Sequence, residues 1–269
     1  MIELPSDEFD SVLSLVDERC AGAEIVGAVL AGHTNGKVLL RDLADTRVGF
    51  IYDSGFCVLA GAVADVDFAS ACLNWLYGHS EQDFFILYPG HESWIPILDA
   101  IGAGSVKKVG RVAYHLDTAS FAARRSRSSL PPDFTLARMN AELMRVATDT
   151  MYPWAGGTWK SAAHFERHGL GYCVLAGSRV VSLCYSVFVT GRHREIDILT
   201  DRDVRRLGLA TGAGVAYIQE CLDRGLQPGW NCFTENGASR ELARDLGFVP
   251  AREFPVYTWQ RTRTIADDV

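Results

Sequence analysis

Residues 193–212 read His193-Arg194-Glu195-Ile196-Asp197-Ile198-Leu199-Thr200-Asp201-Arg202-Asp203-Val204-Arg205-Arg206-Leu207-Gly208-Leu209-Ala210-Thr211-Gly212. The first eight residues largely alternate polar with apolar side chains, the two-residue period of a strand with one covered face. From Thr211 to Arg224 the spacing changes: Val215, Ile218 and Leu222 recur as they do along one side of a helix. Strand, short loop and helix in that order build an anion site. The first N–H groups of a helix have no partner inside it, and the helix dipole favours negative charge there. Gly208 has no side chain and Ala210 only a methyl group, so phosphate oxygens can come close to the backbone.

Gly208, Ala210, Gly212 and Gly214 could also be taken for a dinucleotide-binding fingerprint. That chemistry needs an acidic residue about 20 positions on, at the end of the second strand of a βαβ unit. The next strand, Trp230-Asn231-Cys232-Phe233-Thr234, ends without an acid, which favours the phosphate loop of a different cofactor.

A second block follows, Asn236-x-x-Ser239-x-x-Leu242-x-x-x-Leu246-Gly247-Phe248. The stretch between the blocks, residues 211–229, fits one helix and a turn. Taken together, Arg205 to Ala210 resembles the R/Q-x-x-G-x-G/A pyrophosphate loop of the GCN5-related N-acetyltransferases (GNAT), and the Asn236 block resembles that family's next motif. The resemblance runs from Phe134 to about Trp259. Trp159-x-Ser161, Phe165, Gly171-Tyr172-Cys173 and Trp230-x-Cys232 are similar to one branch, the zwittermicin-resistance-like acetyltransferases.

The resemblance implies an α+β fold in the C-terminal half, a mixed, mainly antiparallel sheet flanked by helices. It implies acetyl-CoA as co-substrate, no metal, and an N-acetyltransferase acting on the amine of a small molecule, an antibiotic or related metabolite if the branch holds. The alternative is a non-catalytic protein that binds or senses acyl-CoA. The cofactor-binding residues implied are Arg205, Arg206, Leu207, Gly208, Leu209, Ala210 and Thr211 around the pyrophosphate. The backbone of Leu199 and Thr200 would lie along the pantetheine arm, with Asn236 and Ser239 in the second motif.

An alkylamine is protonated at neutral pH, with a pKa of about 10 as for lysine, so acyl transfer to it needs a base. Glu195 and Asp197 fall on one face of the strand, and a carboxylate on a central strand is costly unless it is paired or useful. Glu195 is therefore the expected base, together with Asn236 in the catalytic set, and Asp197 is a candidate for the substrate ammonium. A structural hydrogen-bond network is the competing role for both carboxylates. Many relatives carry a tyrosine seven residues after the Asn to protonate the leaving thiolate; here that position is Ala243. Either another group serves, with Tyr257 and Cys232 as the stand-ins the sequence offers, or the thiolate leaves unassisted. Trp154 and Trp159, in Tyr152-Pro153-Trp154-Ala155-Gly156-Gly157-Thr158-Trp159, are expected either to line the acceptor pocket or to pack in the core. His164 and His168 have a metal-capable i, i+4 spacing, but the sequence near them offers no third ligand.

Composition narrows the classes. The chain has 269 residues, 48% hydrophobic and 22% charged, which describes one large or two modest globular domains. A formal net charge of −7 argues against general nucleic-acid binding. The acidic start, Met1 to Glu8, is unlike a signal peptide, and no apolar run reaches membrane-spanning length. The seven scattered cysteines contain no CxxC pair and read as reduced core residues of a cytoplasmic protein. The partners expected are the amine and a second copy of the chain, with neither nucleic acid nor membrane.

Residues 122–133, AARRSRSSLPPD, have the composition of a linker. They divide an N-terminal α/β domain, 1–121, from the motif-bearing domain, 134–269. The first half is expected to follow the same plan: a strand at Asp83 to Tyr88, a helix from His91 to Ile101 closed by Gly102, and strands from Val106 to Leu116. It lacks a phosphate loop before its helix at Val66 to Tyr77. A degenerate second copy of the fold and an unrelated α/β cap both satisfy that pattern.

Overall fold

A computed structural model describes residues 1–15, 20–79, 83–125 and 130–261. The chain divides into two compact units. The first comprises residues 1–32, 36–110 and 254–269, the second 33–35 and 111–253.

The first unit opens with β1 (Ile2–Glu3), a 3-10 segment (Ser6–Leu15), α1 (Ala23–Leu30) and the strands β2 (Lys37–Leu40), β3 (Gly49–Asp53) and β4 (Phe56–Ala60). It continues with α2 (Val66–His79), β5 (Phe84–Pro89) and α3 (Trp94–Ile101). Antiparallel pairing joins β1 to β2, β2 to β3 and β3 to β4; β4 and β5 run parallel, with α2 as the crossover. The core packs α2 and α3 onto this sheet through Phe68, Cys72, Leu76, Trp94 and Leu98.

After α3 the chain forms β6 (Lys107–Leu116), α4 (Thr118–Arg125), β7 (Phe134–Arg138), α5 (Ala141–Thr150), α6 (Ala162–His168), β8 (Gly171–Ala176) and β9 (Arg179–Thr190). Then come β10 (His193–Thr200), a 3-10 turn (Arg202–Val204), α7 (Leu209–Asp223), β11 (Gln227–Phe233), α8 (Gly237–Asp245) and β12 (Phe248–Gln260). In the second unit β7, β8, β9 and β10 pair antiparallel in sequence order. β10 runs parallel to β11, and β11 pairs antiparallel with the 111–114 segment of β6. This is the mixed, mainly antiparallel sheet expected from the resemblance.

The two faces of this sheet are covered by different elements. Ile196 and Ile198 of β10 join Val174, Val181 and Cys184 in a core closed by Ala213, Tyr217, Ile218 and Cys221 of α7 and by Leu246. Small residues let α7 lie close: a Cβ on Gly214 would stand 2.7 Å from Leu246 Cδ1. On the opposite face, Phe165 of α6 meets Tyr185 of β9 edge-on. Glu195 and Asp197 alternate with the two isoleucines and so belong to this second face.

The structure corrects the expected organisation. The supposed linker begins inside α4, which includes Ala122–Arg125, while 126–129 lie outside the described residues. The division falls instead at Gly110/Arg111, because β6 is one continuous strand whose later residues pair with β11. The chain also returns to the first unit after residue 253: β12 is a single strand whose residues 257–260 pair with β5. Each unit therefore takes its last strand from the other half of the sequence. Helix α6 starts at Ala162, where Ser161 Oγ accepts the His164 N–H at 3.1 Å.

Gly247, between α8 and β12, has φ +88°. A Cβ there would stand 2.6 Å from the backbone nitrogen of the buried Phe121. Gly247→Ala should therefore cost about 2–3 kcal/mol, through left-handed strain and a clash with backbone that cannot swing away. Denaturant unfolding checks this: the midpoint should fall with little change in slope.

Candidate active site

The site grows from the parting of two strands. β10 and β11 pair in parallel only at His193–Gln227, Arg194–Pro228 and Glu195–Gly229. Beyond that rung β10 continues to Thr200 and β11 to Phe233 without further ladder pairing between them. At the same level the β9–β10 register shifts: Glu195 faces Phe188, but Ile196 faces Ser186. One extra residue on β9 bends the pair where the slot opens.

At the far end of β10, residues 205–211 form the loop that the sequence singled out. Arg206 (φ +66°) and Gly208 (φ +76°) are both left-handed. Gly208 is the N-cap of α7 and makes no side-chain cap bond, so the first N–H groups of the helix remain directed out of its end. A Cβ on Gly208 would meet no protein atom within 4 Å. The space beside this residue is open, as an approaching phosphate requires. Arg205 turns its Nε–H back to the Thr200 carbonyl at 3.1 Å, and Ser182 Oγ lies 3.2 Å from the Leu199 carbonyl. Leu199, Thr200 and the loop thus lie together at one end of the slot. Asn236 Oδ1 accepts the Ser239 N–H at 3.0 Å and caps α8, while Ser239 Oγ accepts from Trp230 Nε1 at 3.2 Å.

The start of the slot carries charge. Glu195 is 6% exposed. Its Oε1 accepts from Asn231 Nδ2 at 2.8 Å, and its Oε2 lies 3.0 Å from His193 Nε2. Asn231 Oδ1 accepts in turn from Arg111 Nε at 2.7 Å, and the buried Arg111 guanidinium lies 4.7 Å from the centre of the Phe233 ring. Asp197 takes a hydrogen bond from the Tyr185 hydroxyl at 3.0 Å and another from Tyr152. Burial pushes the Asp197 carboxyl up, against the lowering effect of those bonds and of Arg111. Burial likewise pushes both phenols up, with Asp197 adding to the rise.

Arg111, Asn231, His193, Tyr185 and Tyr152 were not singled out as site residues by sequence. Period-two placement of Asn231 on a strand beside Glu195 was the available signal for one of them; Arg111 comes from the far side of the chain and gave none. Trp159 is core: 3% exposed, its indole N–H bonded to the Ser186 carbonyl at 3.0 Å and its ring edge-on to Phe165. Trp154 is half-buried in the turns between α5 and α6. Of the two stand-ins for the thiolate acid, Tyr257 lies in the first unit, where its hydroxyl donates to Asp99 at 2.7 Å, and Cys232 is core. Ala243 is fully buried.

His164 and His168 do share a helix face, and a third ring joins them. His33 Nδ1 lies 3.2 Å from His164 Nε2, and the His33 and His168 ring centres are 5.1 Å apart. Even so, no group of three or more His, Cys, Asp or Glu among the described residues is disposed to hold a metal ion. No helix among them is long and apolar enough to cross a membrane.

With this geometry in hand, the chain belongs to the GNAT acetyltransferase family, whose model matches residues 17–257. It is an acyltransferase of that family. It is 27% identical to YdfB of Bacillus subtilis (strain 168), described as an uncharacterized N-acetyltransferase, over 95% of this chain and 97% of that protein. Among solved structures it is similar to a GCN5-related N-acetyltransferase-like protein from Streptococcus suis 89/1591, with a TM-score of 0.74 and 23% identity over 95% of this chain and 99% of the other. It also shares its fold with a tandem GNAT protein from the clavulanic acid biosynthesis pathway, with a TM-score of 0.62 and 11% identity over 98% of both chains.

The histidine cluster gives a pH-dependent prediction. Burial, and then the positive charge of His168, His164, Arg194 and Lys160, pulls His33 down to about 4. Its folded pKa lies below the unfolded value near 6.5, so the unfolded chain binds the proton more readily between these values. Stability should fall as pH drops from about 6.5 towards 4. Thermal unfolding at pH 7 and pH 4.5 should show that loss, and His33→Gln should make it smaller.

Proposed function

We propose that this acyltransferase moves an acetyl group from acetyl-CoA to the amine of a small molecule, of the kind represented by an antibiotic or related metabolite, as in the zwittermicin-resistance-like branch. The observation that carries this reading is the bare N-terminus of α7 behind Gly208, set at the open end of the slot between β10 and β11. A diphosphate fits there: the N–H groups and helix dipole meet its charge, and Gly208 leaves room for its oxygens. The pantetheine arm then runs along the edge of β10 past Thr200 and Leu199, and the thioester reaches the end where the strands meet. That end holds Glu195, His193 and Asn231. A backbone N–H at the β10 edge is available to the oxyanion that develops at the carbonyl. Asp197, with Tyr185 and Tyr152, supplies the negative side of an ammonium site.

The first unit repeats the order of the second. β4, α2, β5 and α3 correspond to β10, α7, β11 and α8, and each set contains a parallel strand pair with a helical crossover. On this reading it is a degenerate copy of the fold that binds no acyl-CoA. Its helix α2 starts differently from α7: Asp65 Oδ1 accepts the Phe68 N–H at 2.8 Å. A carboxylate already fills the place where a phosphate would sit. The reaction is cytoplasmic on this reading, with acetyl-CoA as the only co-substrate.

Gly208→Asp should weaken acetyl-CoA binding by roughly 100-fold, because a carboxylate then occupies the phosphate position. Calorimetry on the full chain reads this directly, and a panel of small amines with acetyl-CoA, followed by thiol release, identifies the acceptor. Unchanged affinity in Gly208→Asp sinks the cofactor assignment. An intact affinity with no amine consumed across the panel supports an acyl-CoA-binding protein instead.

A further inference from the structure

The carboxylate expected to act as the base is poorly placed to meet an amine. The Glu195 side chain is 7% exposed, whereas that of its neighbour His193 is 35% exposed. Both oxygens of Glu195 are engaged, one by Asn231 Nδ2 at 2.8 Å and the other by His193 Nε2 at 3.0 Å. Arg111 holds Asn231 from behind through its Nε–H, which fixes the amide so that its NH2 group faces Glu195. The strand partner completes the arrangement. Gly229 stands opposite Glu195 in register, and a Cβ on it would fall well inside contact distance of Glu195 Oε2 and of His193 Nε2 and Cε1. The imidazole and the carboxylate therefore lie together on the bare backbone of Gly229, at the last paired rung before the slot opens.

Chemistry then sets the roles. A carboxylate accepts hydrogen bonds, so the ring nitrogen facing it, Nε2, carries the hydrogen. The accepting lone pair of the neutral ring stands on Nδ1. The general arrangement is a base whose other nitrogen is oriented by an acidic partner.

We propose that His193 is the catalytic base of the acetyl transfer and that Glu195 is a positioning residue that fixes its tautomer and stabilises its protonated form. This deepens the function proposed above and rests on it. The substrate R–NH3+ gives one proton to His193 Nδ1 and becomes R–NH2. The nitrogen lone pair forms the new bond to the thioester carbonyl carbon. The carbon–sulfur bond breaks as the carbonyl re-forms, the second proton of the nitrogen goes to the departing thiolate, and the imidazolium returns its proton to solvent. R–NH3+ and acetyl-CoA thus yield the amide, CoA thiol and one proton. The charged groups linked to His193 include Glu195 on its own strand, Arg111 of β6 acting through Asn231 of β11, and Arg194, which donates to the His193 carbonyl at 2.9 Å.

The test uses the full-length His193→Ala, His193→Gln and Glu195→Gln variants. Acetyl-CoA affinity is measured by calorimetry and turnover by thiol release with an amine from the panel. His193→Ala and His193→Gln should lower kcat by about 10²–10³-fold and leave acetyl-CoA affinity intact. Added imidazole should restore part of the loss in His193→Ala. Glu195→Gln should cost less, about tenfold, and should move the acid limb of the kcat–pH profile to lower pH, because the imidazolium loses its anionic partner. In NMR spectra of the full chain without acceptor, the His193 ring titration should move to lower pH in Glu195→Gln. The proposal is overturned if Glu195→Gln is the more damaging change while His193→Ala retains near wild-type kcat. It is equally overturned if the His193 titration does not respond to Glu195. Failure of the wild-type chain to bind acetyl-CoA would instead overturn the function on which the proposal rests, and calorimetry reads that separately.

Discussion

The second unit turns on a parallel strand pair that stops after three rungs. β10 and β11 are joined at 193–195 and 227–229 and then part. Each is still anchored on its other side, β10 by eight residues of β9 and β11 by β6. Those outer ladders let the inner edges separate without loss of the sheet. The register shift at Glu195 and the crossover through α7 both serve the same opening. The extra residue on β9 bends the β9–β10 pair at the joint, and the crossover returns the chain so that the N-terminus of α7 lies beyond the end of β10. A fully paired β10–β11 ladder would satisfy more backbone groups and leave no slot for a ligand.

The slot also explains why a strand at the centre of a sheet tolerates so much charge. A buried carboxylate is costly unless it is paired. Glu195 is paired twice, and the chain His193–Glu195–Asn231–Arg111 alternates donors and acceptors across three strands. Removing one member leaves a buried partner unsatisfied, which is why such networks hold a single geometry. Asp197 is managed differently. Two phenols solvate it in place of a cation, which leaves its remaining attraction for positive charge available to a ligand.

Much of this was legible along the sequence, because the signals were local. The alternation from His193 to Thr200, Gly208 before an apolar helical stripe, and Asn236 three residues before Ser239 each specify a strand, a bare helix start and a capped helix start from a few neighbouring residues. The same locality explains what was missed. Arg111 reaches Asn231 across 120 positions and His33 reaches His164 across 131, and no short window carries such a pairing. The indole of Trp159 looked equally suited to a pocket or a core; its partner, the carbonyl of Ser186, is a backbone group and leaves no mark in composition. The linker was misjudged for a related reason: Ser, Arg and Pro suggest a break, but the turn of helix within it and the long β6 before it carry the chain across.

The strand exchange sets the order of events during synthesis. The first unit's sheet has its β4–β5 pair by residue 89, yet the strand that covers the other edge of β5 is β12, which ends at residue 260. Until residues 257–260 have been synthesised, that edge can only be exposed or wrongly paired. Contacts so distant in sequence close slowly, and an open apolar edge is a template for another chain. The first half should therefore depend on chaperones or on rapid completion of the polypeptide. Loss of residues 257–260 would unpair β5, a strand made long before them.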